Sequence, residues 1–296
     1  MISSPLIDSV LVIGVCGALG HRLVTELLDL ETPPQNIYTQ QNRVSTVQYH
    51  EIDISDKEQV NSTLGTLKPL HSVIFHTASP RFRLLDLELY LRANVEGTRN
   101  LLGGAEKLGV KAFVYTSSAS VIHDAVTLVD ELILKHNNPA HGFLTTSIWP
   151  SSIFGENDPG SVKSFAEKAA AGKLKFQIGN GKNLFDFTYV ENLVHAHILA
   201  AQKLLLQHAT PSLIKDESMR VDGQAFLITN DEHIPFWEFA RAIGDAAGHP
   251  TRRENVKSIP KIVGFAMAIV AEWVVWIMSF GREHRGLIEW VLRIAV

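Results

Sequence analysis

What this sequence lacks narrows its class first. One cysteine in 296 residues, Cys16, excludes an internal disulfide and makes a reducing, cytosol-facing compartment the default. No block of lysine or arginine occurs, and a net charge of −4 gives no electrostatic basis for binding nucleic acid. Repeats and low-complexity tracts are absent. There is no cysteine cluster for zinc, and His195 and His197 in "HAH" fall in a helical stretch where i,i+2 positions point apart. No G-x-S-x-G elbow supports a serine hydrolase. The opening "MISSPLIDSVLVIGVCG" has no positive n-region, and Asp8 interrupts it, so it does not read as a secretory leader.

What is present is the composition of a globular protein with a substantial core, 46% hydrophobic and 20% charged. Short β-branched runs alternate with helical patterns. The strand-like runs are Val10–Ile13, Ile37–Thr39, Val47–Ile54, Ser72–Thr77, Ala112–Ser117 and Leu144–Trp149. Helical stretches lie between them at His21–Leu30, Asp56–Leu64 and Leu84–Leu108, with Ser55 and Glu58 forming a capping-box pattern for the second. Alternation of this kind predicts parallel crossover units, hence an α/β fold with a doubly wound parallel Rossmann sheet. After Phe154 the rhythm loosens: Val162–Ala171, Glu191–Leu206 and Phe236–Ala247 read as helices and Gln224–Ile228 as a strand. We therefore expect a dinucleotide-binding domain over 1–154. A smaller C-terminal substrate-binding region over 155–260 would return elements to the sheet, followed by an apolar segment over 261–296.

"VLVIGVCGALGHRLV" sets Gly14, Gly17 and Gly20 at GxxGxxG spacing between a strand and a helix, with Ala18 and Leu19 completing the turn. A pyrophosphate needs such a tight turn, a close backbone approach and a helix N-terminus. The alternative is a glycine-rich turn kept for strand–helix packing. No Asp or Glu lies between Glu31 and Glu51, where such folds hold an adenosine ribose. Arg43 either faces a 2′-phosphate, which would favour NADP, or is a solvated loop charge. Asp53 and Ile54 either bracket an adenine or form a capped turn. Ala78 and Ser79 end the fourth strand with side chains small enough for a cofactor to lie alongside. His76 reads as a core histidine. Ser117 and Ser118 put hydroxyls at the carboxyl end of the fifth strand, the edge at which these sheets bind ligands.

These pieces, with "NVEGTRNLL", "FVYTSSASV", "SSIFGENDPG", "FQIGNGKNLFDFTYVENLVHAHILAAQKL" and "QAFLITNDEHIPFWEFARAIGDAAGH", resemble the extended short-chain dehydrogenases, in particular the 3β-hydroxysteroid dehydrogenase branch. Within it the likeness is to fungal sterol-4α-carboxylate 3-dehydrogenases (decarboxylating), and it covers nearly the whole chain. The resemblance implies NAD(P)-linked oxidation of a 3β-hydroxyl on a sterol, or on a fungal triterpenoid or meroterpenoid. A C4 carboxylate beside the new ketone would then leave as carbon dioxide. It implies cofactor contacts at Gly14, Gly17, Gly20, Asp53, Ile54, Ala78 and Ser79, a supporting role for Asn94, and Ser118 as the catalytic serine.

One departure from the family is decisive. The catalytic Tyr-x-x-x-Lys has no counterpart: four residues after Tyr38, Tyr49, Tyr90, Tyr115 and Tyr189 stand Asn42, Asp53, Asn94, Ala119 and Leu193. "DELILKHNNPAHGFL" joins the residues before the catalytic helix to the latter part of that helix. The family's stretch beyond the apolar segment also has no counterpart before Val296. Positioned acid/base catalysis is worth typically 10²–10⁴-fold, and a serine alone is a weak base. His123 is the nearby group that titrates near neutrality; it is either a substitute base or a solvated loop residue. An enzyme with reduced turnover, a pseudo-dehydrogenase that binds sterol or cofactor, and a shortened gene product all remain open.

"KIVGFAMAIVAEWVVWIMSFGR" carries only Glu272 as a charge between Lys261 and Arg282. Its length nearly matches a hydrocarbon core of about 30 Å at about 1.5 Å per residue. Glu272 at its centre costs about 2.5–3.5 kcal/mol in a spanning helix. The segment is thus expected either to attach monotopically at the cytosolic face of the endoplasmic reticulum or to be a buried helix of a cytoplasmic protein.

Overall fold

The computed structural model describes residues 7–31, 33–34, 36–39, 47–67, 72–80, 87–119, 127–156, 158, 160–211 and 216–278. In chain order the elements begin with β1 (Ser9–Ile13), α1 (Ala18–Asp29), β2 (Asn36–Thr39), β3 (Gln48–Tyr49), α2 (Lys57–Thr66), β4 (Val73–His76) and α3 (Leu87–Tyr90). A π-helical stretch over Leu91–Glu96 leads into α4 (Gly97–Lys107), then β5 (Ala112–Thr116), α5 (Thr127–Lys135), β6 (Leu144–Pro150) and β7 (Ser152–Phe154). Next come α6 (Ser161–Ala170), β8 (Phe176–Ile178), β9 (Leu184–Phe185), β10 (Phe187–Tyr189), α7 (Val190–Ala209) and β11 (Gln224–Ile228). The last are β12 (Ile234–Pro235), α8 (Phe236–Ala246), β13 (Lys257–Ile259) and α9 (Lys261–Met278).

The chain divides into two units: Met1–Ser151 with Thr188–Ile228, and Ser152–Phe187 with Thr229–Val296. The first holds a seven-stranded sheet in the order β11-β6-β5-β4-β1-β2-β3, parallel throughout. Strands buried on both faces read as continuous apolar runs, and β1 and β4 are buried at every position. On one face Leu11, Ile74, Phe113 and Tyr115 pack with Leu64 of α2, Leu101 of α4 and Ile133 of α5. On the other, α1 lies beside α7, which also covers β5 and β6. This is the doubly wound Rossmann sheet that the alternating pattern predicts.

Two local readings change. The third strand is short, Gln48–Tyr49 rather than Val47–Ile54. Backbone groups beyond it are taken by side chains: Asn100 Nδ2 donates to the carbonyls of Ile54 and Ser55, and Asp53 N donates to Gln59 Oε1. The cap of α2 is Asp56, not Ser55; its Oδ1 accepts from the backbone N–H of Glu58 and Gln59 at 2.9 and 3.1 Å. Ser55 instead turns its hydroxyl to Asp53.

The second unit is built on aromatic rings. Phe187 stacks on Phe239 with centroids 3.7 Å apart, and Phe165 and Phe236 meet edge to face. Close approach of α6 and α8 needs Gly244, where an added Cβ would lie 2.7 Å from the Ala169 Cβ. Strand β8 pairs with β13 and β9 with β12. Helix α9 is long and apolar enough to cross a membrane, with a mean hydropathy of 1.8 and 11% of that window buried. Its least exposed stripe is Gly264, Ala268, Ala271 and Val275, and Glu272 lies on the flank of it, half-buried. The opposite surface, including Ile262, Met267, Val270, Trp273 and Ile277, is exposed.

Candidate functional site

The strand order reverses between β1 and β4, and the residues beyond their carboxyl ends meet there. Gly14 follows β1 with φ +94°; a Cβ on it would lie 2.5 Å from Ala78 N and 2.6 Å from Ala78 Cα. Only glycine fits, on grounds of conformation and space alike. Gly20 is equally confined, its would-be Cβ 2.5 Å from the Gly14 carbonyl oxygen. Gly17 differs. Its Cβ would meet only the Gly14 carbonyl, at 3.3 Å, and the residue is exposed. As the N-cap of α1 it offers no side chain to the first-turn N–H groups, and that turn holds no acidic residue. Ala18 and Leu19 thus open a helix whose amides are unclaimed by any side-chain cap, a geometry that favours an anion.

Around this turn Thr77 fixes the fourth strand to the first, its amide and hydroxyl donating to the Ile13 carbonyl at 2.8 and 2.9 Å. Ser79 is exposed just beyond. Asp53 is exposed, and its carboxyl is held below the ordinary range chiefly by the Ser55 hydroxyl and amide. Ile54 is packed on Gly97, where a Cβ would lie 2.7 Å from the Ile54 Cγ1. Asn94 stands in the π-helical stretch, a distortion that recurs at functional sites. The glycine turn, the uncapped helix and the small Ala78 together fit a dinucleotide. Arg43 and His123 lie outside the described residues.

At the end of β5 the two serines separate. Ser117 N donates to the Ile148 carbonyl, and its hydroxyl donates to Asp130 Oδ2 at 2.6 Å. Asp130, on α5 and only 3% exposed, also accepts from Trp149 Nε1 at 2.8 Å and from the Ser147 hydroxyl. Ser117 is therefore committed to holding α5 on the sheet; Ser118, the serine that the family resemblance marks, follows it. Asp130 escaped the sequence reading; its one signal is an acid among Val129, Leu132 and Ile133 on an apolar helix face.

Two histidines are structural. His197 is fully buried: Nδ1 donates to the Leu193 carbonyl and Nε2 accepts from the Thr116 hydroxyl, and burial brings its pKa down to about 4. His76 meets the Thr98 hydroxyl at 3.0 Å, and burial lowers it to about 3. His195 points the other way, exposed.

The model of the 3-beta hydroxysteroid dehydrogenase/isomerase family matches residues 11–131 and 126–259. The chain belongs to this family. The family is NAD(P)-dependent, and its two matched stretches overlap at 126–131, at the start of α5. The sterol-4-alpha-carboxylate 3-dehydrogenase (decarboxylating) of Saccharomyces cerevisiae is 32% identical over 90% of this chain and 83% of its own length. That of Bos taurus is 37% identical over 78% of this chain and 68% of its own length. Among solved structures, the Bordetella bronchiseptica enzyme WbmF in complex with NAD+ superposes with a TM-score of 0.66 at 16% identity, covering 86% of this chain and 82% of that one. The Thermus thermophilus UDP-glucose 4-epimerase in complex with NAD gives 0.63 at 18% identity, covering 97% and 98%. At these identities the structural likeness speaks for the fold.

Proposed function

We propose that this chain is an NAD(P)-dependent oxidoreductase of the 3β-hydroxysteroid dehydrogenase type, acting on the C3 hydroxyl of a sterol, triterpenoid or meroterpenoid in sterol or fungal specialised metabolism. The single observation that carries the reading is the glycine turn closed on Ala78 at the head of a family-matched Rossmann unit. Gly14, Gly17, Ala18, Leu19 and Gly20 hold the pyrophosphate, Asp53 and Ile54 flank the adenosine side, and Ala78 and Ser79 leave room beside the fourth strand. Bound there, the dinucleotide supplies the hydride acceptor. Ser118 orients the C3 oxygen by hydrogen bonding. The C3–H electron pair leaves as hydride and the hydroxyl proton passes to a base, giving the ketone. With a C4 carboxylate present, the C4–carboxyl bond then breaks, carbon dioxide departs, its bonding pair passes into the enolate of the new ketone, and a proton from solvent returns to C4.

The chain's own base is the weak point, and it favours a second reading. No tyrosine has a lysine four residues on, and Ser117 is occupied by Asp130. A pseudo-dehydrogenase that binds sterol and cofactor without turnover satisfies both facts. The experiment is NAD(P)H formation by the purified chain on a 3β-hydroxy-4α-carboxysterol, alongside cofactor binding. Turnover supports the enzyme, and its loss in His123→Ala would name the substitute base. Cofactor binding without turnover supports the second reading, and absence of both defeats the two together.

The exposed apolar surface of α9 supports monotopic attachment at the cytosolic face of the endoplasmic reticulum, where a sterol substrate resides. Recovery of all the protein in the soluble fraction, without detergent, would defeat this placement.

A further inference from the structure

The second unit carries a groove that the oxidoreductase reading does not use. Glu238, Arg241, Ala242 and Asp245 recur along one face of α8, and with Ile234, Thr251 and Arg253 they line a space of about 280 Å³. Its two carboxylates are already engaged. Arg253 Nη2 donates to Glu238 Oε1 at 3.0 Å, and Thr251 N donates to Asp245 Oδ1 at 3.3 Å.

Arg241 is engaged differently. Its Nη1 donates to Gln177 Oε1 at 3.2 Å; Glu238 and Asp245 favour its charge from along the same helix, but among the described residues neither makes a direct ion pair with it. Gln177 is 7% exposed and is itself fixed, its Nε2 donating to the Ser258 hydroxyl at 3.1 Å across the register pair that joins β8 to β13. The arginine, which can only donate, requires the amide oxygen on its side, and the Ser258 hydroxyl accepts from the other end. The guanidinium is thus aimed by a buried amide and keeps donors unspent, and none of its nitrogens is both buried and unpartnered. A guanidinium stays charged at any physiological pH and presents a planar fork that matches two oxygens of one anion.

We propose that this groove is an oxyanion site, in which a phosphate or carboxylate group seats on the uncommitted edge of Arg241. The site lies within the second unit and does not rest on the family reading. Its ligand comes either from a soluble anionic metabolite or from the phosphate headgroup of a lipid.

The test titrates inorganic phosphate into the full chain in detergent by calorimetry, with chloride at matched ionic strength as the blank. Saturable heat is expected with phosphate and none with chloride. Arg241→Gln should weaken binding on the order of tenfold or more, the loss of one charged hydrogen-bonding partner. Gln177→Glu keeps the arginine and sets a carboxylate against it, while the Ser258 hydroxyl can turn to donate; it should produce the same loss with the fold retained. No saturable phosphate binding in the parent chain, or parental affinity in both variants, overturns the proposal. A second arm uses phosphatidylcholine vesicles with and without phosphatidic acid. If both variants lose the preference for phosphatidic acid, the source is a lipid headgroup. If they lose phosphate binding and keep the vesicle preference, the source is a soluble oxyanion.

Discussion

The Ser117 hydroxyl donates to Asp130 Oδ2 at 2.6 Å, and through that bond a nine-residue helix is pinned to the end of the fifth strand. Trp149 and Ser147 donate to the other oxygen of the same carboxylate. The buried acid has three donors, one just past β5 and two from β6, so it acts as the joint between α5 and the sheet.

Removing that joint strands three donors. Asp130→Ala should therefore cost about 2–4 kcal/mol of stability, by loss of charged hydrogen bonds and burial of unpaired groups. Asp130→Asn, which keeps an acceptor, should cost clearly less. Urea unfolding with an unchanged m-value reads both. A cost for Asp130→Ala within about 0.5 kcal/mol of zero, the range of ordinary surface changes, would remove the joint from consideration.

Acid should destabilise the protein earlier than carboxylates alone would dictate. His76 and His197 have folded pKa values brought down to about 3 and about 4 from 6.5 by burial. Between those values and 6.5 the unfolded chain binds protons that the folded chain refuses, so stability falls as pH falls through that window. Each histidine contributes roughly 1 kcal/mol per pH unit once the unfolded form is mostly protonated. Melting temperatures at pH 7.5, 6.5, 5.5 and 5.0 should decline from pH 6.5 downward. His197→Gln should make the decline shallower; an identical slope in that variant would exclude His197 as a source.

Fold and cofactor binding should separate within one motif. Gly14→Ala forces a Cβ to 2.5 Å from Ala78 N at a φ of +94°, so both stability and NAD(P)H binding should collapse. Gly17→Ala meets only the Gly14 carbonyl at 3.3 Å and should lose about 1 kcal/mol or less as an N-cap, yet bind the dinucleotide far more weakly. Nucleotide fluorescence set beside thermal melts distinguishes them. Equal damage from the two substitutions would mean that the motif serves packing alone.

Membrane attachment should depend on the outer surface of α9. Val270→Lys with Trp273→Glu places charges on residues 61% and 60% exposed, so the fold should survive while the protein moves from the membrane pellet to the supernatant. Ala268→Leu enlarges a residue on the buried stripe and should instead lower stability with membrane binding unchanged. Pelleting of the double variant like the parent chain would count against the outer surface as the contact.

The parts legible in the sequence are those set by local pattern. Gln224–Ile228 forms a strand with the bounds its apolar run gives, and the alternation of strands and helices led to the parallel sheet. The glycine spacing pointed to a turn whose tightness comes from the Thr77–Ala78 backbone against Gly14 and the Gly14 carbonyl against Gly20. What could not be read off was long-range exchange of hydrogen bonds. Asn100 reaches back to Ile54 and Ser55, which ends the third strand early. Asp130 finds Ser117, Ser147 and Trp149 only after β5, α5 and β6 have assembled. Arg241 becomes conspicuous only because Gln177, 64 positions earlier, turns its oxygen toward it.

The seventh strand of the sheet, β11, reaches β6 only after the chain has passed through residues 152–187 and the helix α7. During synthesis, at about 5–20 residues per second, the outer edge of β6 therefore waits on the order of ten seconds for its neighbour. An unpaired strand edge invites pairing with another nascent chain. Yield of soluble protein should therefore depend on the speed of translation and on chaperone supply more than equilibrium stability alone suggests.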